Sequence, residues 1–557
     1  MVDKIEEVKK LVNGVVDKYK VFEGEFDSVT YYWGGDYEGK TFEKKSGKII
    51  TRVSENEIVG RLRWFLRTVL ARFSPYVSDL NSYEEVEKCI YFLGATSDEA
   101  LKEASLKSDY IFRAEVIDYA REIRDRDLIE DLSRVKLSLM GKGKNVNQFL
   151  PIEGVKFKLE AYRLKEGSSV EERHGKECIQ LDKRDFLVIG GTLLTLAYLG
   201  IGKATSRGFG RFYPVKNTKL WIAENIRDKI MKLIDDVQKG EVQRAFRDFY
   251  TNIGFNPSDP SSYKKWTDSS IPLAPLPDGD NEDCIKVVNV NLSSEKDNKL
   301  LNIMKCINNS TLKIYYKNRL HNESVGIHTW VFGFPRAHIS GKGIETGYYY
   351  KDDKNVNNAL RRISLVIISP VKKQTDDYDI AILPFLSLKD LEDKVKDLYH
   401  KEEYRVNYPP WIAKEISKII KEKLEKEGKK PPKPPTISLV AKVKVNDILE
   451  SSKQISIQFE DEYENEKKVN EIYKEVYDKF KKWYQSGERE QLRERVKNKI
   501  QISNLTSDPR FRHLVFGKSE EIIKAYINYL PGHIKNLCGT KRQSYGEQKG
   551  KQQRRSR

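Results

Sequence analysis

Four glycines lie within one short segment, Leu199–Phe212, which reads LGIGKATSRGFGRF. The segment follows an apolar run, Phe186–Leu199, whose composition predicts a buried helix, and it precedes Arg211–Tyr213, which reads as a strand. Because glycine has no Cβ, the backbone can adopt positive φ angles there and approach other groups closely. The fold must therefore accommodate a tight glycine loop between a core helix and a strand.

The same loop carries cations and hydroxyl groups. Glycine lets backbone amides approach an anion, while lysine and arginine add charge and, for arginine, a planar fork that suits phosphate. The pattern predicts a phosphate-binding loop, and the alternative is a glycine-rich turn whose cations face water. The candidate binding residues are Gly202, Lys203, Ser206, Arg207, Gly208 and Arg211.

The composition of the chain also favours an anionic partner. The chain has 557 residues, with 100 Lys and Arg against 83 Asp and Glu, for a net charge of +17. Such an excess favours a polyanion or an anionic membrane surface as partner, although abundant lysine and glutamate also occur on thermophile surfaces. No apolar run is long enough to span a membrane and the first residues are charged, so we expect a cytoplasmic protein with no membrane partner.

A second basic feature is the predicted helix Ser54–Phe73. Ser54 and Glu57 have the spacing of a capping box at its start. At helical periodicity one face is apolar and the other is basic, with no acidic partner in the helix body. Arginines beside a tryptophan predict phosphate contacts next to a base-stacking surface, and the alternative is a solvated basic face. The basic face holds Arg61, Arg63, Trp64, Arg67 and Arg72.

The other elements of the first half predict their order along the chain. We expect strands at Val21–Trp33, Lys48–Val53 and Gly154–Leu164, and helices at Ser82–Leu93 and Arg113–Leu132. Together with the glycine loop, this order predicts an α+β, ferredoxin-like (RRM-like) unit with insertions.

One motif in this half is misleading. The segment Gly34–Thr41 matches G-x-x-x-x-G-K-[ST], the pattern of a nucleotide-binding phosphate loop. A working loop of that kind opens a helix, but the following residues include Ser46-Gly47 and β-branched residues instead of a helical pattern. Asp36 and Glu38 would also repel phosphate, so we predict no ATP site and no cofactor.

The arginine helix and the glycine loop resemble the RAMP superfamily, the repeat-associated proteins of CRISPR effector complexes. The helix is similar to a G-x-L-R-W-W-W-R segment of the first-numbered RAMP subunits of type III-B (Cmr) complexes. Phe65 and Leu66 stand where that pattern has further tryptophans. The matching residues are Gly60, Leu62, Arg63, Trp64 and Arg67.

The second half resembles another RAMP unit more loosely. It contains Gly333-Phe334-Pro335-Arg336 and Arg361-Arg362-Ile363-Ser364, where related subunits carry G-L-P and R-R-A-S. The resemblance implies RNA contacts for Arg336, Arg361 and Arg362, and the alternative is an ordinary turn and a buried strand. We predict a first domain at 1–216, a helical segment with a proline-rich linker at 217–280, a RAMP-like domain with helical insertions and a helical extension at 281–540, and a basic tail at 541–557.

Few residues suggest catalysis. The seven histidines show no metal-ligand spacing with each other or with cysteine, and none precedes His174, whereas other RAMP proteins cut RNA with a histidine in the first unit. The resemblance therefore implies a noncatalytic subunit that binds crRNA near its 3′ end, contacts target single-stranded RNA and other RAMP subunits, and stacks bases on Trp64, Tyr31 or Trp33. The alternatives are a guide-processing endoribonuclease and a purely structural scaffold.

Overall fold

The computed structural model describes the chain in segments. These are residues 18–35, 40–41, 49–73, 83–94, 108–121, 148–164, 181–215, 217–290, 299–311, 349–352, 355–359, 364–388, 403–407, 437–443, 457–463 and 519–539, with a few isolated residues. The buried apolar side chains of these segments form one continuous core that includes residues from both halves of the chain.

The first half is built on one antiparallel sheet. Its strands are β1 (Lys20–Ser28), β2 (Tyr110–Arg121), β3 (Glu153–Arg163), β4 (Phe212–Pro214) and β5 (Lys219–Leu220). Their order in the sheet is β2-β3-β1-β4, and β5 also pairs with β1. The inward residues of the central strands are aromatic, and Phe26 of β1 stacks on Phe157 of β3 with ring centroids 5.3 Å apart. These rings form the sheet side of the core.

Helices cover the inner face of this sheet. They are α1 (Glu55–Phe73), the short α2 (Tyr83–Lys88) and α3 (Arg184–Leu194), which continues as a π-helical turn through Leu199. Every residue of α3 is buried, as its apolar composition predicts. The chain therefore enters the glycine loop from the centre of the core and leaves it into β4.

Two further helices follow the sheet. The segment 217–280, predicted to be helical with a proline-rich linker, contains α4 (Glu224–Lys239) and α5 (Val242–Asn252). Gly240, in the left-handed conformation, ends α4 and redirects the chain. Phe249 of α5 packs on Phe65 of α1 at 5.7 Å between ring centroids, so α5 closes the far side of α1.

The second half contains several smaller sheets. In chain order its elements are β6 (Lys286–Asn289), α6 (Lys299–Ser310), β7 (Tyr349–Asp352), β8 (Asn355–Ala359), β9 (Val366–Lys372), β10 (Tyr378–Pro384), β11 (Glu403–Asn407), β12 (Ile437–Val443), β13 (Ile457–Tyr463) and α7 (Ser519–Gly539). Strands β6, β10 and β9 form an antiparallel sheet in which β9 and β10 are buried, and α6 packs against α7. The mixed helix and antiparallel sheet content confirms the α+β class, while the second ferredoxin-like unit stays a prediction.

Two local predictions are wrong. Residues 113–121 of the predicted helix Arg113–Leu132 belong to β2. Their side chains alternate, with Phe112 buried and Ile111 and Ile117 exposed, because β2 pairs with β3 along its length and this pairing overrides the helical preference of its charged residues. In the described part of the expected strand Lys48–Val53, Ile49 and Arg52 are isolated bridge residues, Arg52 with Gly35, and no continuous strand forms.

The proline-rich segment joins the halves instead of lying exposed. The amide of Ala274 donates to the carbonyl of Thr68 in α1 at 3.0 Å, and Leu273 donates to Leu386 after β10 at 2.9 Å. Both residues are fully buried. The segment therefore contacts α1 on one side and the β9–β10 sheet region on the other, while the domain limits themselves stay a prediction.

Arg72 anchors this segment, and its predicted position on an exposed basic face is wrong. Its guanidinium is fully buried and donates to the carbonyls of Ala274 at 2.9 Å and Lys264 at 2.8 Å. It also pairs with the carboxylate of Asp283 at 2.8 Å. Two backbone carbonyls and one carboxylate, all distant in sequence, accept hydrogen bonds from this one cation. These contacts stabilise the segment that connects the two halves.

We expect Arg72→Met to reduce the free energy of unfolding by about 3–5 kcal/mol, because the carboxylate of Asp283 would stay buried without its partner. Urea denaturation followed by circular dichroism measures this change. Adding Asp283→Asn should recover part of the loss, since the unpaired charge is removed. A loss below about 1 kcal/mol for Arg72→Met would contradict the assigned role.

Candidate nucleic-acid interface

The glycines of the Leu199–Phe212 loop are required by its backbone. Gly202 and Gly210 have φ angles of +88° and +71°. A Cβ on Gly210 would lie 1.9 Å from the carbonyl oxygen of Ile201, and one on Gly202 would lie 2.8 Å from that of Trp33. The loop closes on itself, with the amide of Ile201 donating to Gly210 at 3.1 Å. It is therefore a compact structure with a fixed conformation.

One side of the loop packs against the second half of the chain. The amide of Ile368 in β9 donates to the carbonyl of Ser206 at 3.2 Å, and Arg207 forms a parallel bridge with the same residue. A Cβ on Gly208 would lie 2.9 Å from Pro370. Gly208 and Arg207, predicted RNA contacts, therefore lie at an internal junction, and Arg207 is only 7% exposed.

Arg211, a predicted phosphate contact, lies at the centre of this junction, where its burial contradicts a direct contact with RNA. Its guanidinium is fully buried and donates to Ser369 Oγ at 2.8 Å and to the carbonyls of Phe209 and Thr205 at 2.6 Å. Burial lowers its pKa, and the nearby charge of Arg61 lowers it further. The guanidinium holds the loop against β9 and is not presented to solvent.

Residues 202–206 are the accessible part of the loop. Gly202 and Ser206 are partly exposed, and Lys203 between them is exposed. The carboxylate of Glu57 lies near Lys203 and accepts a hydrogen bond from Tyr32 Oη at 3.3 Å. The capping-box pattern indicates only a helix-cap role for Glu57, although its spacing of four from Arg61 puts both on the side of α1 near the loop. The accessible side of the loop thus borders the first turns of α1.

Two arginines of α1 are paired inside the protein. Arg63 and Arg67 both contact the carboxylate of Glu87 in α2, and Arg63 also donates to the carbonyl of Gly94. Burial lowers the pKa of Arg63 to about 10, and the charge of Arg67 adds to this effect. The helix body lacks an acidic partner, as its sequence shows, but α2 supplies one. Both cations are thus partly neutralised.

The prediction that Trp64 offers an exposed stacking surface is wrong. The side chain is 8% exposed, and its ring centroid lies 4.8 Å from that of Phe385, after β10. The guanidinium of Arg61 lies 4.6 Å from the ring centroid. The other two stacking candidates, Tyr31 and Trp33, are buried as well. Phe385 from the second half packs on Trp64, and Phe209 of the glycine loop packs on Trp33 with ring centroids 5.6 Å apart. A helical projection of α1 alone does not show these contacts.

Arg61 differs from the other arginines of α1. It is partly exposed, and its Nη2 is 3.4 Å from the carbonyl of Leu199, where the loop begins. Its Nε is buried without a hydrogen-bond partner, and no carboxylate of the described residues pairs with it. Burial lowers its pKa to about 10. Arg61 and Arg211 therefore form a local positive pair with no described counterion, which favours an anion at this place.

The outer face of the first sheet is a poor candidate for a polyanion. Its charged side chains pair among themselves, with Lys20 and Lys158 both 3.0 Å from the carboxylate of Glu160. Lys219 pairs with Glu23 at 3.4 Å. Because cations and carboxylates alternate on this face, the positive excess of the chain is not concentrated there.

The remaining predicted residues, Arg336, Arg361 and Arg362, lie outside the described residues. The following Ser364 is buried, and its hydroxyl donates to the carbonyl of Val366 at 2.6 Å as β9 begins. The serine of the Arg-Arg-x-Ser segment thus caps the strand that contacts the glycine loop.

Residues 26–213 match the family model of the RAMP superfamily. This segment spans most of the first sheet, α1, α3 and the glycine loop, and the predicted resemblance to that superfamily is confirmed for this part of the chain. A comparison with curated protein sequences gives no match. In the described residues no helix is long and apolar enough to cross a membrane.

The chain is also similar to solved structures, one of them a type III-B complex. One is a chain of the Cmr-beta bound to cognate target RNA and AMPPnP, with a TM-score of 0.45, 13% identity and coverage of 66% of this chain and 94% of that one. Another is Cmr1 from Pyrococcus furiosus in its apo form, with a TM-score of 0.38, 14% identity and coverage of 66% and 88%. Because the TM-scores are below 0.5, these similarities do not bear on function.

We expect Trp64→Ala to reduce the free energy of unfolding by about 3–5 kcal/mol, because a buried aromatic side chain is removed between Arg61 and Phe385. Trp221→Ala is the matched control, since Trp221 is 46% exposed and should change stability far less. Thermal and urea unfolding measure both variants. Equal stability of Trp64→Ala and the parent would show that the indole is not a core residue.

Proposed function

We propose that this protein is a noncatalytic RNA-binding subunit of a type III-B CRISPR ribonucleoprotein. It would bind crRNA near the 3′ end, assist capture of target single-stranded RNA and contact other RAMP subunits in the cytoplasm. Support comes from the RAMP superfamily match over residues 26–213, the net charge of +17 and the motif resemblance of α1. Two tandem ferredoxin-like units, the second including β9 and β10, form part of the proposal.

The single observation that carries the RNA-binding role is the uncompensated charge beside the loop. Arg61 and Arg211 lie close enough for one to lower the pKa of the other, and no described carboxylate pairs with either. The exposed Lys203 lies on the adjoining part of the loop. Phosphate groups of a nucleic acid supply the missing negative charge, and contacts of this kind bind without reading the base sequence.

The noncatalytic part of the proposal rests on the sequence. No histidine precedes His174, which argues against the cleavage that other RAMP proteins perform with a histidine in the first unit. The described residue His533 is buried on α7 and contacts Tyr529, which suits a structural role. The lack of an early histidine does not address an endoribonuclease that uses tyrosine and lysine. The RNA experiment below therefore also measures cleavage.

We expect the full-length protein to bind single-stranded RNA with an affinity that falls as salt rises, because bound phosphates displace counterions. Lys203→Ala should reduce the slope of log K against log salt by about 0.7, which corresponds to one lost phosphate contact. Lys219→Ala removes the same charge from the ion-paired sheet edge and should leave the slope unchanged. Fluorescence anisotropy over a salt series measures these slopes.

Two outcomes would contradict the proposed function. Absence of salt-dependent RNA binding by the parent protein would favour a purely structural scaffold. Specific cleavage of CRISPR repeat RNA by the purified protein, with the cleavage products identified on a denaturing gel, would favour the endoribonuclease.

A further inference from the structure

Gly60 is a glycine that the described structure does not explain. It lies inside α1, is exposed, and a Cβ added there would meet no atom within 4 Å. The glycine of α3 that faces the same helix is different, because a Cβ on Gly191 would lie 2.9 Å from the side chain of Leu62. Glycine inside a helix costs about 1 kcal/mol relative to alanine. The described packing thus gives no reason for this cost at Gly60.

The surroundings of Gly60 are those of a binding surface for an anion. Arg61 is adjacent to Gly60 in sequence, whereas Arg63, one turn further along the same side of α1, is already paired with Glu87. The guanidinium of Arg61 lies over the Trp64 ring and reaches toward Leu199 at the start of the glycine loop. Its Nε is buried and unpartnered. A bare stretch of helix backbone therefore lies beside a cation that has no described counterion.

These two observations are independent and fit one ligand. A glycine in a helix permits the closest approach of another backbone, and an uncompensated guanidinium binds a phosphate oxygen through its planar fork. A bound protein segment would satisfy the first feature, but the positive charge of Arg61 selects an anionic chain. Single-stranded RNA combines a slim backbone with one phosphate per nucleotide.

We propose that the sugar–phosphate backbone of a bound single-stranded RNA crosses α1 at Gly60, where Arg61 binds a phosphate between the helix and the glycine loop. The inference rests on the proposed function and defines where the strand contacts the protein. It assigns to Gly60 a close-approach role and to Arg61 a direct phosphate contact, whereas Arg63 and Arg67 hold α2.

The proposal predicts that substitutions of Gly60 change protein stability and RNA affinity in opposite directions. In Gly60→Ala the added methyl group meets no protein atom, so the unfolding temperature should be unchanged or higher by about 2 °C. The same methyl group would obstruct the RNA backbone and weaken binding several-fold, and the larger side chain of Gly60→Gln would weaken binding more. A purely structural glycine would instead lose stability and affinity together.

The matched control is Gly532→Ala. Gly532 is likewise exposed inside a helix, α7, and a Cβ there would also meet no atom within 4 Å. This variant should change the unfolding temperature as Gly60→Ala does, with the RNA dissociation constant unchanged. Fluorescently labelled oligouridylate and the full-length protein are used throughout.

Arg61→Gln tests the phosphate contact. It should weaken RNA binding about tenfold and reduce the salt slope by about 0.7. If the parent binds RNA and Lys203→Ala weakens binding, but both Gly60 variants and Arg61→Gln bind as the parent does, the inference is wrong and the proposed function stands. If the parent shows no salt-dependent RNA binding, the proposed function fails and this inference fails with it.

Discussion

The buried guanidinium of Arg211 is the interaction on which the arrangement of this protein depends. It joins the end of the glycine loop to Ser369 of β9 while also holding the loop's own carbonyls at Phe209 and Thr205. A buried cation that is satisfied by neutral acceptors alone is costly unless the surrounding groups are fixed in place. Arg211 therefore couples the loop, the first sheet and β9, together with the backbone contacts of Ser206 and Arg207 with Ile368. This coupling also places a positive charge beneath the accessible part of the loop.

Most arginines of helix α1 form ion pairs inside the protein. Its arginines are directed to different partners: Arg72 to Asp283, and Arg63 and Arg67 to Glu87. These pairs hold the proline-rich segment and α2 in place, since cations that are paired and hydrogen bonded stabilise what they contact. Arg61 alone among them lies beside the loop without a described carboxylate. The positive excess relevant to RNA is thus restricted to a small area between α1 and the loop.

The accessible part of the loop and the exposed backbone at Gly60 form the two sides of this area. Lys203 and Ser206 border it on the loop side, and Gly60 and Arg61 border it on the helix side. The outer face of the sheet, where RRM-like domains bind RNA, instead carries ion pairs such as Lys158 with Glu160. The described residues therefore favour a strand that follows the helix and the loop over one that lies across the sheet.

The sequence by itself determined the elements whose signals are local. Apolar composition indicated α3, alternation indicated β3, and the glycine spacing identified a loop that needs positive φ, because backbone sterics depend on the residue itself. Tertiary structure decided what local patterns cannot encode. It turned residues 113–121 into a strand through pairing with β3, and it covered Trp64 with Phe385, which is distant in sequence. It also buried Arg72 and Arg211 while leaving Arg61 partly exposed, because burial and ion pairing depend on which distant segments come together.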